Sequence, residues 1–174
     1  MCIRDRALVL VALLVGAGLA WGAATGSGGG ASLAVEATAF DPFGTEGEND
    51  GEAPLAVDDD PATAWRTERY DDPDVAAYKS GVGLLLDSGS EHELRRLVVT
   101  STSTGWAADV FVVDAPPEGG VDGWGDPVAT SSDIGSAWEA DLGGTRGRMV
   151  LLWITRTGDD GRVTISDVTV EGST

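Results

Sequence analysis

The sequence predicts an all-β fold, a jelly-roll β-sandwich of about eight strands preceded by one apolar helix. Three observations carry this. Short runs of alternating or wholly apolar residues recur along the chain. Turn signals separate them, among them Asp87-Ser-Gly, Pro116-Pro-Glu-Gly-Gly, Leu142-Gly-Gly and Gly158-Asp-Asp-Gly. No stretch of helical length keeps a helical apolar period after the first segment.

Taken in chain order, residues 1–6 (Met-Cys-Ile-Arg-Asp-Arg) read as an artefactual leader, so Cys2, Arg4 and Arg6 carry no weight. Residues 7–24 form an uncharged apolar run, short for a bilayer span, with glycines and Trp21 of the kind found in membrane helices. It is a transmembrane helix or, on the rival reading, a cleaved signal peptide. No Lys, Arg or His occurs from Ala7 to Trp65, which places the chain beyond the apolar run on the outer side of a membrane. Residues 25–32, Thr-Gly-Ser-Gly-Gly-Gly-Ala-Ser, read as a flexible linker.

The β-domain is expected over residues 33–174. Its predicted strands are Leu33–Phe40, Val82–Asp87, Leu94–Thr100, Asp109–Asp114, Ala137–Leu142, Met149–Thr155 and Val163–Val170. Met149 to Ile154 is continuously apolar, so that strand should be buried on both faces. In the last strand Val163 and Ile165 share one parity and Val168 and Val170 the other. The slip predicts a β-bulge at Ser166-Asp167.

Charge narrows the function. The net charge is −18, which argues against nucleic acid and against an anionic lipid surface, both of which call for basic residues. Cationic ligands, metal ions and neutral sugars remain. One cysteine precludes an intrachain disulfide, so the core, with or without a metal, must hold the domain. Catalytic signatures are missing. His92, the only histidine, sits in a polar Ser-Glu-His-Glu stretch that reads as a solvated turn. No cluster of Cys and His for zinc and no phosphate-cradling loop is visible. The expectation is a non-enzyme.

Ala56-Val-Asp-Asp-Asp-Pro-Ala-Thr-Ala-Trp-Arg-Thr67 is the most informative segment. Three consecutive acids repel one another unless solvated or holding a cation. Pro61 fixes a turn and Thr63 adds a hydroxyl, so the segment offers the oxygens a hard cation such as Ca²⁺ takes. Trp65 should be buried beneath it, as should Trp153 elsewhere. Trp106 and Trp138 are open either way. From Asp41 to Asp60 the chain carries eight acids and no base. That stretch reads as a solvated loop, with a partner-docking segment or a second cation site as the alternative. Trp124, in a glycine-rich loop, is either a stacking platform for a sugar ring or a lid folded onto the sandwich. Arg66, Arg69, Tyr70, Tyr78 and Lys79 form the one mixed aromatic and basic stretch after the turn. They line a ligand groove or cover a sheet edge. Trp124, Arg66 and Tyr70 are the candidate ligand residues.

These motifs resemble the discoidin-like family, also called coagulation factor 5/8 type C or galactose-binding-like domains. Ala56 to Trp65 resembles its acidic turn, Gly83-Leu-Leu-Leu-Asp-Ser-Gly89 a strand end, and Ile165 to Gly172 its closing strand. Asp59 stands where the family often has Gly, and Asp167 where many members have Glu. Asp41-Pro-Phe-Gly44 with the acidic turn is similar to the extracytoplasmic tail of actinobacterial membrane proteins resembling the murein-precursor flippase. The resemblance implies a structural Ca²⁺ held by Asp58, Asp60, Thr63 and Asp167, with main-chain carbonyls near Ala56 and Ser166. It also implies a module for cell-wall glycan or peptidoglycan fragments. The alternative is a structural or protein-interaction domain on the same fold. A glycan site should converge exposed aromatics with Asp, Asn or Arg in one cleft.

Overall fold

The computed structural model describes residues 30–45, 47–116, 118 and 121–173. The expected leader, the apolar segment and most of the linker lie outside the described residues. Among the described residues no helix is long and apolar enough to cross a membrane.

Among the described residues, eight antiparallel strands form the domain: β1 (Ala31–Leu33), β2 (Glu36–Phe40), β3 (Trp65–Arg66), β4 (Val82–Ser101), β5 (Trp106–Val113), β6 (Ala129–Ile134), β7 (Ala137–Arg156) and β8 (Thr164–Ser173). Among the described residues, helix is confined to short 3-10 turns at Asp50–Ala56, Val75–Ala77 and Val121–Gly123. Strand order is β1-β8-β4-β7-β5-β6, with β2 on β4 and β3 on β8.

The expected separate strands at Val82–Asp87 and Leu94–Thr100 are one long strand, and so are those at Ala137–Leu142 and Met149–Thr155. The first half of β4 pairs with β2 and the second half of β7. Its second half pairs with β8 and the first half of β7. Register shifts at Asp87/His92 and Leu94/Arg96 mark the irregular middle. Each long strand thus contributes to two groups of partners. The main core joins both groups, with Leu84, Leu86, Val110, Val150, Leu152 and Ile154 from one and Leu97, Val99, Leu142, Ile165, Val168 and Val170 from the other. This arrangement is consistent with a β-sandwich.

Met149 to Ile154 is buried on both faces, as its apolar run predicts. Val150, Leu152 and Ile154 enter the main core, while Met149, Leu151 and Trp153 join Leu85 and Phe111 in a second cluster. Gly83 permits the close pairing there, since a Cβ at this position would lie 1.8 Å from the Leu152 carbonyl oxygen.

The bulge in β8 is present. Thr100 pairs with Asp167 and Ser101 with Ile165, which leaves Ser166 as the extra residue. Trp65, Trp106 and Trp153 are all fully buried. His92 departs from the expectation of a solvated turn. The backbone continues as strand through this point, where His92 pairs with Gly147 of β7. The ring is buried, with Nε2 3.0 Å from Ser90 Oγ.

Candidate functional site

Two features lie at the loops leading into and out of β3. The first is the acidic turn. Asp59 adopts a left-handed conformation with φ 59°, the geometry glycine supplies at such a turn and aspartate tolerates. Asp58 Oδ1 accepts the Asp60 amide at 3.1 Å, and Asp60 Oδ1 accepts the Ala62 amide at 2.9 Å. Around Thr63 Oγ1 stand both Asp58 oxygens and the Asp60 carbonyl, each at 2.9 Å, with the Leu55 carbonyl at 3.4 Å. One hydroxyl proton satisfies only one of these acceptors.

Asp167 approaches this turn from β8. Its burial, and then the charges of Asp59 and Asp58, hold its carboxyl above the usual aspartate range, while a bond from Thr169 opposes the shift. Asp58 and Thr63 are in direct contact, and Asp167 is near enough to Asp58 and Asp59 to feel their charges. The Asp60 side chain is engaged in its own turn. Among the described residues, no group of three or more Asp, Glu, His or Cys side chains is arranged to hold a metal ion.

The second feature is an open cleft of about 400 Å³ between the loop after β2 and the loop after β3. Its floor is a buried polar network centred on Glu48, which is 0% exposed. Lys79 Nζ donates to Glu48 Oε1 at 2.9 Å and to Asp41 Oδ2 at 2.6 Å. The Tyr70 hydroxyl donates to Glu48 Oε1. Glu48 Oε2 accepts the Glu68 amide at 2.6 Å, and the Glu48 carbonyl accepts Trp65 Nε1 at 2.8 Å. Burial, together with the Glu48 hydrogen bond and charge, pushes the Tyr70 phenol far above its ordinary pKa, so it stays a donor. Burial alone would lower the Lys79 pKa. The hydrogen bonds and charges of Asp41 and Glu48 outweigh it and hold the ammonium above the ordinary lysine value.

Two aromatic rings border this cleft. Phe43 is 40% exposed and Tyr78 55%, and they are the exposed large hydrophobic residues among the described ones. Phe43 lies near-parallel to Trp124 at 6.4 Å, and Tyr78 lies 5.6 Å from Tyr70.

Of the expected ligand residues, Tyr70 lines the cleft. Arg66 and Trp124 are not among its lining residues. Arg66 is exposed and pairs with Glu52 at 3.3 Å. Trp124 packs on the second cluster, 4.8 Å from Trp153 and 5.6 Å from Phe111, which is the lid placement. The acidic stretch from Asp41 is not simply solvated, because Glu48 and Asp41 are drawn into the network by Lys79, Tyr70 and the Glu68 amide. Neither carboxylate has a local sequence signal that sets it apart from the other acids of the stretch.

No family model matches the chain. Solved structures do share its fold. The module CpGH89CBM32-5 of Clostridium perfringens, in complex with GalNAc-β-1,3-galactose, is 18% identical with a TM-score of 0.58. The match covers 81% of this chain and 99% of that one. The CBM32 of AlyQ, in complex with 4,5-unsaturated mannuronic acid, is 15% identical with a TM-score of 0.54, over 82% of this chain and 96% of that one. A family 89 glycoside hydrolase of Clostridium perfringens is 18% identical with a TM-score of 0.58, but the match covers only 14% of that chain. The described domain thus has the galactose-binding-like β-sandwich fold of CBM32 modules.

Proposed function

We propose that this chain is a non-catalytic glycan-binding module held at the outer face of a membrane, and that the sugar enters the cleft between Phe43 and Tyr78. One observation carries the reading. The two exposed aromatic rings border a single cleft whose wall also presents carboxylates, a lysine and an arginine. Aromatic faces stack on the apolar side of a sugar ring while such polar groups bond its hydroxyls. Modules of the same fold with bound sugars support it.

The apolar run at residues 7–24 and the lack of Lys, Arg and His from Ala7 to Trp65 support a membrane anchor with the domain outside. The resemblance to flippase-like tails points to a cell-envelope glycan or peptidoglycan fragment as ligand. For the acidic turn we propose a structural Ca²⁺ near Thr63, with Asp58, Asp60 and Asp167. It is supported by oxygens gathered round one hydroxyl and by an Asp167 carboxyl that burial, and then the charges of Asp59 and Asp58, make costly to ionise without a cation.

Calorimetry of the full chain against galactose-terminated and N-acetylglucosamine-containing oligosaccharides tests the glycan reading. Binding should be weakened roughly tenfold by Phe43→Ala and by Tyr78→Ala, the loss expected for one aromatic contact. If no sugar binds, or if both variants bind as the parent does, the cleft is not a glycan site. A protein-interaction role for the fold then takes precedence.

A further inference from the structure

We propose that the cleft selects by charge, taking a sugar that carries a free primary ammonium in preference to its N-acetylated or uronic counterpart. The proposal rests on the glycan reading of the same cleft and specifies its ligand class.

The cleft wall contains four carboxylates, Asp41, Glu48, Glu68 and Asp71, against two cations, Arg69 and Lys79. Both cations already have protein partners. Lys79 bridges Asp41 and Glu48, and Arg69 Nη1 donates to the Asp160 carbonyl at 2.8 Å. The carboxylates are not all matched. Glu68 and Asp71 are exposed, and neither side chain makes an ion pair or hydrogen bond among the described residues. Deeper in, the Asp41 side chain is only 4% exposed, yet its Oδ1 has no hydrogen-bond partner among the described residues. The site thus has a surplus of carboxylate acceptors, one of them buried, although Arg69 keeps N–H donors beyond its bond to a neutral carbonyl.

The chemistry of the three ligand classes follows from that imbalance. An ammonium brings three donors and a positive charge. It meets the rim carboxylates directly, and the exposed face of Tyr78 adds a cation–π contact. An N-acetyl group brings one N–H donor and no charge. A uronic carboxylate brings only acceptors and is repelled. The net charge of −18 reinforces the bias by steering cations toward the domain and anions away.

The test is calorimetry of the full chain, at mildly acidic pH and low salt, with three probes of equal length: a glucosamine oligosaccharide, its N-acetylated counterpart and a galacturonate oligosaccharide. The glucosamine probe should bind at least about tenfold more tightly than the other two, and its advantage should shrink as salt screens the rim. Glu68→Gln combined with Asp71→Asn changes two exposed side chains, so the fold is retained, as an unchanged melting temperature would verify. This variant should lose most of the preference.

Equal or tighter binding of the acetylated or uronic probe overturns the proposal. So does a preference that survives the double variant. If a neutral probe binds without charge preference and Phe43→Ala removes that binding, the cleft reading stands and only the charge selection falls. Failure of all three probes to bind overturns this proposal, and the cleft reading falls with it only if the galactose-terminated oligosaccharide also fails to bind.

Discussion

Replacing Lys79 with Met examines the buried network most sharply. The ammonium lies between two carboxylates, Asp41 at 4% side-chain exposure and Glu48 at 0%. Met fills much of the same volume but leaves both carboxylates without a counter-charge. Removing one partner of a buried ion pair costs about 3–5 kcal/mol, because the remaining charge stays desolvated. For a domain of this size each kcal/mol lowers the melting temperature by roughly 3–4 °C, so the fall should be roughly 10–20 °C. Arg66→Ala is the internal control. Its pair with Glu52 is about two-fifths exposed on each side, and such pairs contribute about 0–1 kcal/mol. Thermal unfolding followed by near-ultraviolet circular dichroism reads both variants. If Lys79→Met melts within a few degrees of the parent, or no lower than Arg66→Ala, the network does not hold the loops around the cleft. A linked effect has a definite sign. The folded Lys79 pKa is raised, so its stabilisation is complete below the unfolded value of 10.5 and is lost as pH rises through the higher folded value.

Other perturbations act on the same geometry. Trp65→Ala should cost about 3–5 kcal/mol in urea unfolding, since the ring is fully buried and its Nε1 bonds the Glu48 carbonyl; a parent-like midpoint would contradict that placement. Gly44→Ala should destabilise by about 1–3 kcal/mol, because the added methyl would meet Asp41 Oδ2 at 1.8 Å and displace it from Lys79. Its unfolding curve superposing on the parent's would show that Asp41 has room to move. Asp167 has a raised folded pKa, so without a cation stability should decline as pH rises through a window from 3.8 up to that folded value. Asp167→Asn should therefore be no less stable than the parent in chelator at neutral pH. With CaCl₂ at a hundred times its dissociation constant, the parent should gain about 2.7 kcal/mol that the variant lacks. Identical melting of parent and variant with and without calcium would dismiss the cation proposal.

The fold was legible where its signal is local. The parity slip between Ile165 and Val168 marks a bulge because side-chain direction alternates residue by residue. The unbroken apolar run at Met149 requires burial on both faces, and Trp65 lies in the apolar half of its turn. The long strands were less legible. Polar residues such as Ser90 and Glu91 resemble a turn, but pairing across β4 and β7 decides their conformation. Strand β6, Ala-Thr-Ser-Ser-Asp-Ile, offers no apolar alternation at all and owes its existence to pairing with β5.

The cleft was legible only in part. Tyr70, Tyr78 and Lys79 stood out as an aromatic and basic stretch, but their partners come from residues 41–48. Nothing in the sequence distinguishes Glu48 from the acids around it. Its role depends on the Tyr70 hydroxyl, the Lys79 ammonium and the Trp65 indole converging from later in the chain. Phe43 stands three residues after Phe40 with no sequence signal to separate their roles, and the loop after β2 is what carries it to the cleft that Tyr78 also lines.

Binding of sugar in this cleft is tested most directly by mapping the contact residue by residue. Backbone amide resonances of the isotope-labelled full chain would be followed during titration with a glucosamine oligosaccharide and with a galactose-terminated one. Saturable shifts should be concentrated in residues 41–48 and 68–79, with the acidic turn and β6 unaffected. Shifts centred elsewhere, or none at saturating sugar, would contradict a glycan site between Phe43 and Tyr78.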